Sequence, residues 1–547
     1  MRRHVFPLLV IFIFAFWAVR SLMVDGYFPM HDDTQVGRIV VMGRALRNGQ
    51  FPVRWVSDLG YGYGYPIFNF YGPLPYYLGG AFYMLGMSSV VAAKTVFLLG
   101  ILFAGITMYV LVGSMMGAAA GVLAGVLVIY APYHAVQVFV RGAMGELWAL
   151  VFIPLVILGI MQKRWAVWGG IGLAGVILSH TILGYVTVLW YIAALLLYSI
   201  YLLVKKQLHL SFIIYHLSFL AIGLSLSAFF WLPAMAEMGW TSVAGQISAT
   251  ADYRNHFVCL SQFWNSLWGF GGSAAGCIDG MSFKLGKLHI VLAFAGVLLW
   301  GWRRHAPIGL IVLGVGGVLA AIFFMLRESL FLWNMLPFFS YIQYPWRFLT
   351  YAIVGLSMLG AVSIRVIKHV RVRWIVVLLL SAFAVVVNAK WFSPQFAYQR
   401  PAETFETDEE LRFRVSKISD EYLPHDIVRP TSALQTISQP IIQGTDYTVE
   451  TEVDTETYSR FVLTSNAGAF VRIDKAYFPG WVYLVNGKNT QPKIINGLPE
   501  IQVPSGTSVV EIHFYNTSVR NVGNLISALA MLTLFFIYGK NKTKIIT

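Results

Sequence analysis

Nine ionisable residues in this sequence have types and positions suited to chemistry. They are His31, Asp32, Asp33, Lys94, Arg141, Glu146, His180, Glu237 and Arg347. The densest group is Pro29-Met30-His31-Asp32-Asp33-Thr34-Gln35. Adjacent carboxylates beside a histidine could hold a divalent cation such as Mg or Mn, or one carboxylate could act as a general base. The bland alternative is a solvated loop in which Asp32 or Asp33 caps the next helix. Lys94, Arg141 and Arg347 are cations of the kind that bind phosphate. For Lys94 the alternative is snorkelling without a ligand. Glu146 complements a helix N-terminus, which leaves Arg141 unexplained. His180, within Ser179-His180-Thr181, is either a ligand-facing group or a hydrogen-bonded structural histidine.

These residues sit in a chain built for lipid. Its 547 residues are 57% hydrophobic and only 12% charged, with mean hydropathy +0.67. A soluble domain averages about 25% charged residues. This composition excludes a soluble enzyme, a disordered tail and a nucleic-acid-binding module. Two cysteines exclude a Cys-rich metal site and a disulfide scaffold.

Apolar runs near membrane length predict about twelve transmembrane helices. They fall near 5–24, 90–113, 117–134, 146–162, 166–180, 183–204, 209–232, 288–302, 306–326, 347–364, 373–389 and 522–539. The first run lacks a small-residue cleavage site and reads as a retained anchor. With the N-terminus inside, the cytoplasmic segments carry Arg2, Arg3, Lys163, Arg164, Lys205, Lys206, Arg303, Arg304, Arg365, Lys368, Arg371, Arg373, Lys540, Lys542 and Lys544, and no acid. The positive-inside rule then puts both termini in the cytoplasm of a plasma-membrane protein. Counting 72–87 as a span would invert this pattern, so it reads as a helix at the outer interface.

The domains expected are a transmembrane part, 1–390, with outer loops at 25–89 and 233–287. An extracytoplasmic β-sandwich follows over 391–520, then a last helix and tail over 521–547. Short alternating runs such as 447–453, 461–464, 470–473, 481–485 and 509–514, with turns at Asn486-Gly487 and Asn496-Gly497, predict the sandwich. It carries 11 Lys and Arg against 16 Asp and Glu, so the basic excess of +14 belongs to the rest of the chain. Val36, Ile39, Val40, Ala45 and Leu46 form an apolar stripe broken by Arg38, Arg44 and Arg47, as in a helix lying on a membrane surface. The tyrosines of Gly60–Pro66 read as interfacial anchors or as sugar-stacking rings.

All nine residues are expected at the outer face. Ionisable groups at that depth are costly, which favours a functional reading. Cysteines 259 and 277 share the middle outer loop. A bridge there would close a loop of about 19 residues and contribute roughly 3 kcal/mol.

Several segments carry a family resemblance. They are His31-Asp32, Gly62-Tyr63-Gly64-Tyr65-Pro66, Phe70–Tyr77, Tyr344-Pro345-Trp346-Arg347-Phe348, Glu421-Tyr422-Leu423-Pro424 and Tyr477-Phe478-Pro479-Gly480-Trp481. The chain resembles the GT-C superfamily of membrane glycosyltransferases. It is more closely similar to the YfhO-like and 6-pyruvoyl-tetrahydropterin synthase-related membrane proteins. The soluble synthase needs a three-histidine zinc site, and no such spacing is evident here. The resemblance implies transfer of a sugar from a polyprenyl-phosphate donor, at the outer face of the bilayer, to a glycan, lipid or protein acceptor of the cell envelope.

On that reading Asp32, or alternatively Asp33, activates the acceptor. Lys94, Arg141 and Arg347 hold the phosphate. His31, Glu146, His180 and Glu237 orient substrate or assist a metal. The motif here is His-Asp-Asp rather than Asp-x-Asp. Two competing functions are a lipid-linked glycan flippase and a non-catalytic envelope-glycan-binding protein. A flippase would be expected to show midplane charges and inverted repeats, and neither is evident.

Overall fold

Long apolar runs with their backbone groups satisfied internally can only become helices in lipid, and the architecture follows from that constraint. The structure is a computed structural model that describes residues 2–243, 251–442 and 444–543. Lys544 of the expected cytoplasmic tail and residues 244–250 of the expected middle loop lie outside the described residues.

Among the described residues, eight helices are long and apolar enough to cross a membrane, or ten if two bent pairs each count as one span. The bent pairs are Ala118–Ile129 with Pro132–Val140, turning by 50°, and Leu210–Leu226 with Ala228–Trp240, turning by 74°. The expected count of twelve also included 166–180 and 288–302. These are the helices Ala166–Ser179, of 14 residues, and Lys287–Arg303, of 17 residues. At 1.5 Å per residue both fall short of the roughly 20 residues a straight crossing needs.

The chain divides into two units. The first comprises Met1–Asp32, Lys94–Ser225 and Ile247–Arg400. Its hub is the helix Leu349–Val362, with 13 of its 14 residues buried. The helices Ala118–Ile129, Lys287–Arg303 and Ile308–Met325 pack around it. Beside them, Met144–Met161 packs along Ala166–Ser179. Cys259 and Cys277, also in this unit, are joined as a disulfide with Cα atoms 5.6 Å apart.

The second unit comprises Asp33–Ala93, Leu226–Gln246 and Pro401–Thr547. Residues 33–89 of the first outer loop therefore group with the C-terminal region, whereas residues 25–32 stay with the helical unit. The helix Gln35–Arg47 packs on Leu74–Met84. Ten of the thirteen residues of Gln35–Arg47 are buried, Arg38 among them. That corrects the reading of a helix lying on the bilayer surface, because protein rather than lipid covers its apolar stripe. Tyr61, Tyr65 and Tyr76 are buried too, so these rings are packing groups.

The C-terminal region forms two antiparallel sheets. The strands are β1 (Tyr447–Asp454), β2 (Tyr458–Ser465), β3 (Ala469–Arg472), β4 (Trp481–Val485), β5 (Lys488–Thr490), β6 (Lys493–Ile495), β7 (Leu498–Val503) and β8 (Gly506–Phe514). One sheet has the order β1-β2-β8-β4-β5 and the other β3-β7-β6. The pairing of Ile495 with Leu498 leaves Asn496-Gly497 as a two-residue turn, with φ of 49° and 75°. Both residues are left-handed, as a primed hairpin turn requires.

Candidate active site

Six of the nine residues come together in the first unit. Their positions begin with an irregular backbone. Val136–Val140 is a π-type turn, and Arg141 N–H donates to the Val136 carbonyl at 2.8 Å. Such wide turns recur at functional sites. Gly142 follows with φ +65°, and a Cβ there would lie 2.0 Å from Met30 Sδ, so only glycine lets the first loop approach this closely. The loop is then pinned alongside. His31 N–H donates to the Val140 carbonyl at 2.9 Å, and Asp32 N–H donates to the Arg141 carbonyl at 3.0 Å.

Glu146 lies wholly buried at the start of the Met144–Met161 helix. Its carboxylate accepts from Tyr133 Oη at 2.7 Å, from Thr350 Oγ1 at 2.8 Å, and from Arg141 Nη1. Gln137 Nε2 donates to Thr350 Oγ1 at 3.1 Å and extends the network. The Arg141 guanidinium also stacks over Trp346, 4.2 Å from the ring centre. A buried ion pair is tolerated only with such full satisfaction.

Arg347 is the opposite case. It is buried, and its Nε has no hydrogen-bond partner among the described residues. Its Nη2 reaches Gln343 Oε1 only at 3.4 Å, and its Nη1 lies 3.2 Å from His180 Nε2. His180 caps the Thr181–Val204 helix by accepting Leu183 N–H on Nδ1 at 3.1 Å. A neutral imidazole accepting on Nδ1 carries its proton on Nε2. Two donors therefore face each other, and an acceptor-rich group is the chemistry that would satisfy both.

His31 Nδ1 pairs with Asp32 Oδ1 at 2.8 Å, with both side chains partly exposed. That hydrogen bond is the main reason the His31 pKa rises above its ordinary value. The site thus holds two guanidiniums, one fully engaged carboxylate and one solvent-accessible carboxylate–imidazole pair.

Three expected members are elsewhere. Lys94 Nζ donates to the carbonyls of Val24 and Gly26, the latter at 3.0 Å, and so ties down the end of the first helix. Asp33 and Glu237 belong to the second unit. There Arg520 donates to Glu237 Oε2 through Nε and Nη2, both at 3.0 Å, and Thr517 donates to Oε1 at 2.7 Å. Glu237 is therefore a structural ion-pair residue. Among the described residues, no three of His, Cys, Asp and Glu gather to hold a metal ion. No step of the reaction below is routed through a metal cation.

Sequence reasoning did not assign Tyr133, Gln137, Trp346 or Thr350 to the site. Thr350 lies three residues after Arg347, a helical spacing that could have pointed to it.

A helical core of membrane-length helices, two β-sheets and a buried arginine pair at helix ends define a polytopic membrane protein. The chain belongs to the 6-pyruvoyl-tetrahydropterin synthase related family of membrane proteins, which it matches over residues 68–394. No protein with a curated description matches it.

The chain is similar to several solved structures. One is the arabinofuranosyltransferase AftD from Mycobacteria, at 15% identity and TM-score 0.40, covering 73% of this chain and 28% of that one. Another is the apo oligosaccharyltransferase of Archaeoglobus fulgidus, at 15% identity and TM-score 0.43, covering 80% of this chain and 62% of that one. A third is ArnT from Cupriavidus metallidurans bound to undecaprenyl phosphate, at 12% identity and TM-score 0.31, covering 71% and 89%. The chain thus spans well under a third of AftD and about three fifths of the oligosaccharyltransferase.

Proposed function

We propose that this membrane protein is a glycosyltransferase that moves a sugar from a polyprenyl-phosphate donor to an envelope acceptor at the outer face. One observation carries the reading. The buried Arg347 and the half-buried His180 form an acceptor-poor pair beside the Arg141–Glu146 ion pair, within a unit that also holds the His31–Asp32 pair. A buried guanidinium without full partners is costly, and a phosphate offers the missing acceptors in bidentate geometry.

The reaction needs one proton transfer and one displacement. Asp32 takes the proton of the acceptor hydroxyl, and His31 orients the carboxylate. The hydroxyl oxygen bonds to the anomeric carbon. The bond from that carbon to the phosphate oxygen breaks, and its electron pair leaves on the polyprenyl phosphate. Arg347, with His180 Nε2–H, balances the charge that develops there. Arg141 is held by Glu146 and contributes field rather than direct bonds. Asp32 is preferred to Asp33 because its backbone is fastened to Arg141 and its carboxylate to His31.

The test is a sugar-transfer assay with a lipid-linked donor in reconstituted membranes. Asp32→Asn should abolish transfer and Asp33→Asn should spare it. Full activity in Asp32→Asn would sink the assignment.

A further inference from the structure

The second unit carries a separate pocket that this reaction scheme does not use. It has a volume of about 220 Å³, and its lining includes Trp240, Pro424, His425, Asp426, Tyr477 and Asn496. We propose that this pocket binds a single neutral sugar ring.

Four chain segments meet to build it, and hydrogen bonds fasten them together. Ser242 donates to the Leu423 carbonyl through its N–H at 2.9 Å and its hydroxyl at 3.1 Å, joining the Trp240 segment to Pro424. Tyr477 N–H donates to the Gly497 carbonyl at 2.9 Å, joining the Tyr477 segment to the β6–β7 turn. That turn presses on the Pro424 segment so closely that a Cβ on Gly497 would lie 2.6 Å from Ile427 Cγ1. The Glu237–Arg520 ion pair sits three residues before Trp240 and anchors that strand of the wall. The walls are therefore fixed before any ligand arrives, which lowers the cost of binding.

The lining is specific in kind. Trp240 and Tyr477 meet edge to face, with ring centres 5.8 Å apart and planes at 65°. Trp240 is 50% exposed, so its ring is reachable from outside the pocket. Two rings at a corner offer electron-rich faces to the C–H groups of a sugar. The polar groups are Asp426, which accepts, and His425 and Asn496, which both donate and accept. No Lys or Arg lines the pocket, which disfavours an anion. The volume is below that of drug-sized sites, about 300 Å³ and upward, and suits one ring. In a glycosyltransferase this ring would belong to the acceptor, and that last step alone rests on the proposed function.

The test measures binding without turnover. The full chain is placed in lipid nanodiscs, because maltoside detergents would compete. Saturation-transfer NMR is run with methyl β-D-glucopyranoside, methyl α-D-mannopyranoside and methyl β-D-galactopyranoside, with choline as a control. Transfer to ring C–H protons of at least one glycoside is expected. Trp240→Ala should weaken it at least tenfold, and the exposed Asp426→Asn several-fold. Arg347→Ala, expected to be impaired in transfer, should bind as the wild type does. No transferase activity in the wild-type chain, with glycoside binding intact, would fail the enzyme reading alone. Absent binding with intact activity would fail the pocket alone. No transfer from any glycoside, an unchanged signal in both pocket variants, or a response to choline only would overturn the proposal. So would a Trp240 variant changed only in membrane partitioning, which would mark an interfacial anchor only.

Discussion

Arg347 Nη1 and His180 Nε2 lie 3.2 Å apart, although both atoms are donors once Leu183 N–H has claimed His180 Nδ1. The arrangement leaves a guanidinium short of acceptors in a place from which water is largely excluded. Most of the chemistry expected of the site depends on that shortage.

Replacing Arg347 should cost the phosphate its partner. A hydrogen bond to a charged group contributes about 1.5–3 kcal/mol. Arg347→Ala should therefore lower kcat/KM for the lipid-linked donor by roughly 10- to 100-fold, and Arg347→Lys should recover only part, because an ammonium lacks the planar fork. Steady-state transfer kinetics decide it. Equal activity in all three proteins would remove Arg347 from the site.

Glu146 should behave as a structural anchor. Glu146→Gln leaves the Arg141 charge buried without its counter-ion, which costs about 3–5 kcal/mol. Thermal unfolding in nanodiscs should show a large loss. The double variant Glu146→Leu with Arg141→Met should be markedly more stable than the single variant, since both charges go together. A double variant as unstable as Glu146→Gln would contradict this pairing.

The His31 imidazole should titrate above its ordinary value. His31 has its pKa raised above the ordinary 6.5, chiefly by its hydrogen bond to Asp32. A group with a raised folded value stabilises most below its unfolded value. The pair's contribution is thus complete below about pH 6.5 and is lost as pH rises through the raised value. Asp32→Asn should bring the His31 midpoint down, as read by NMR of labelled histidine. An unchanged midpoint would show that the pair does not form in solution.

The Cys259–Cys277 bridge should support the site. It closes the loop carrying Ser273, whose Oγ accepts from Trp346 Nε1 at 2.9 Å, and Trp346 covers Arg141. A Cys259→Ser, Cys277→Ser protein should lose about 3 kcal/mol of stability. Helical circular dichroism should persist while transfer activity falls. Non-reducing mass spectrometry of the unmodified protein should find the two cysteine peptides linked, and free thiols there would refute the bridge.

The match between expectation and structure differs by residue for physical reasons. Arg141, Glu146, His180 and Arg347 stood out because charges at the ends of apolar helices are expensive, and that cost is visible in composition alone. Lys94 stood out for the same reason, yet its ammonium is spent on two carbonyls. A one-dimensional pattern shows that a charge needs a partner but not which atom supplies it. Glu237 finds Arg520 more than 280 positions away, a distance no periodicity reports. The Asn-Gly hairpins were readable because few dipeptides adopt two left-handed residues. The short strands β5 and β6 were not, since three residues give too little alternation.

The sequence by itself determined the solvent and the local elements: membrane-length helices, an acidic β-rich region and ionisable residues at helix ends. These follow from burial energy and backbone propensity, which act over a turn or a strand. The tertiary structure alone decided three things. It grouped residues 33–89 of the first outer loop with the C-terminal region. It covered the Gln35–Arg47 helix with protein rather than lipid. It left Arg347 short of acceptors and gave Lys94 two carbonyls. Each depends on which distant surface arrives first at a given face, and packing in three dimensions is where that competition is settled.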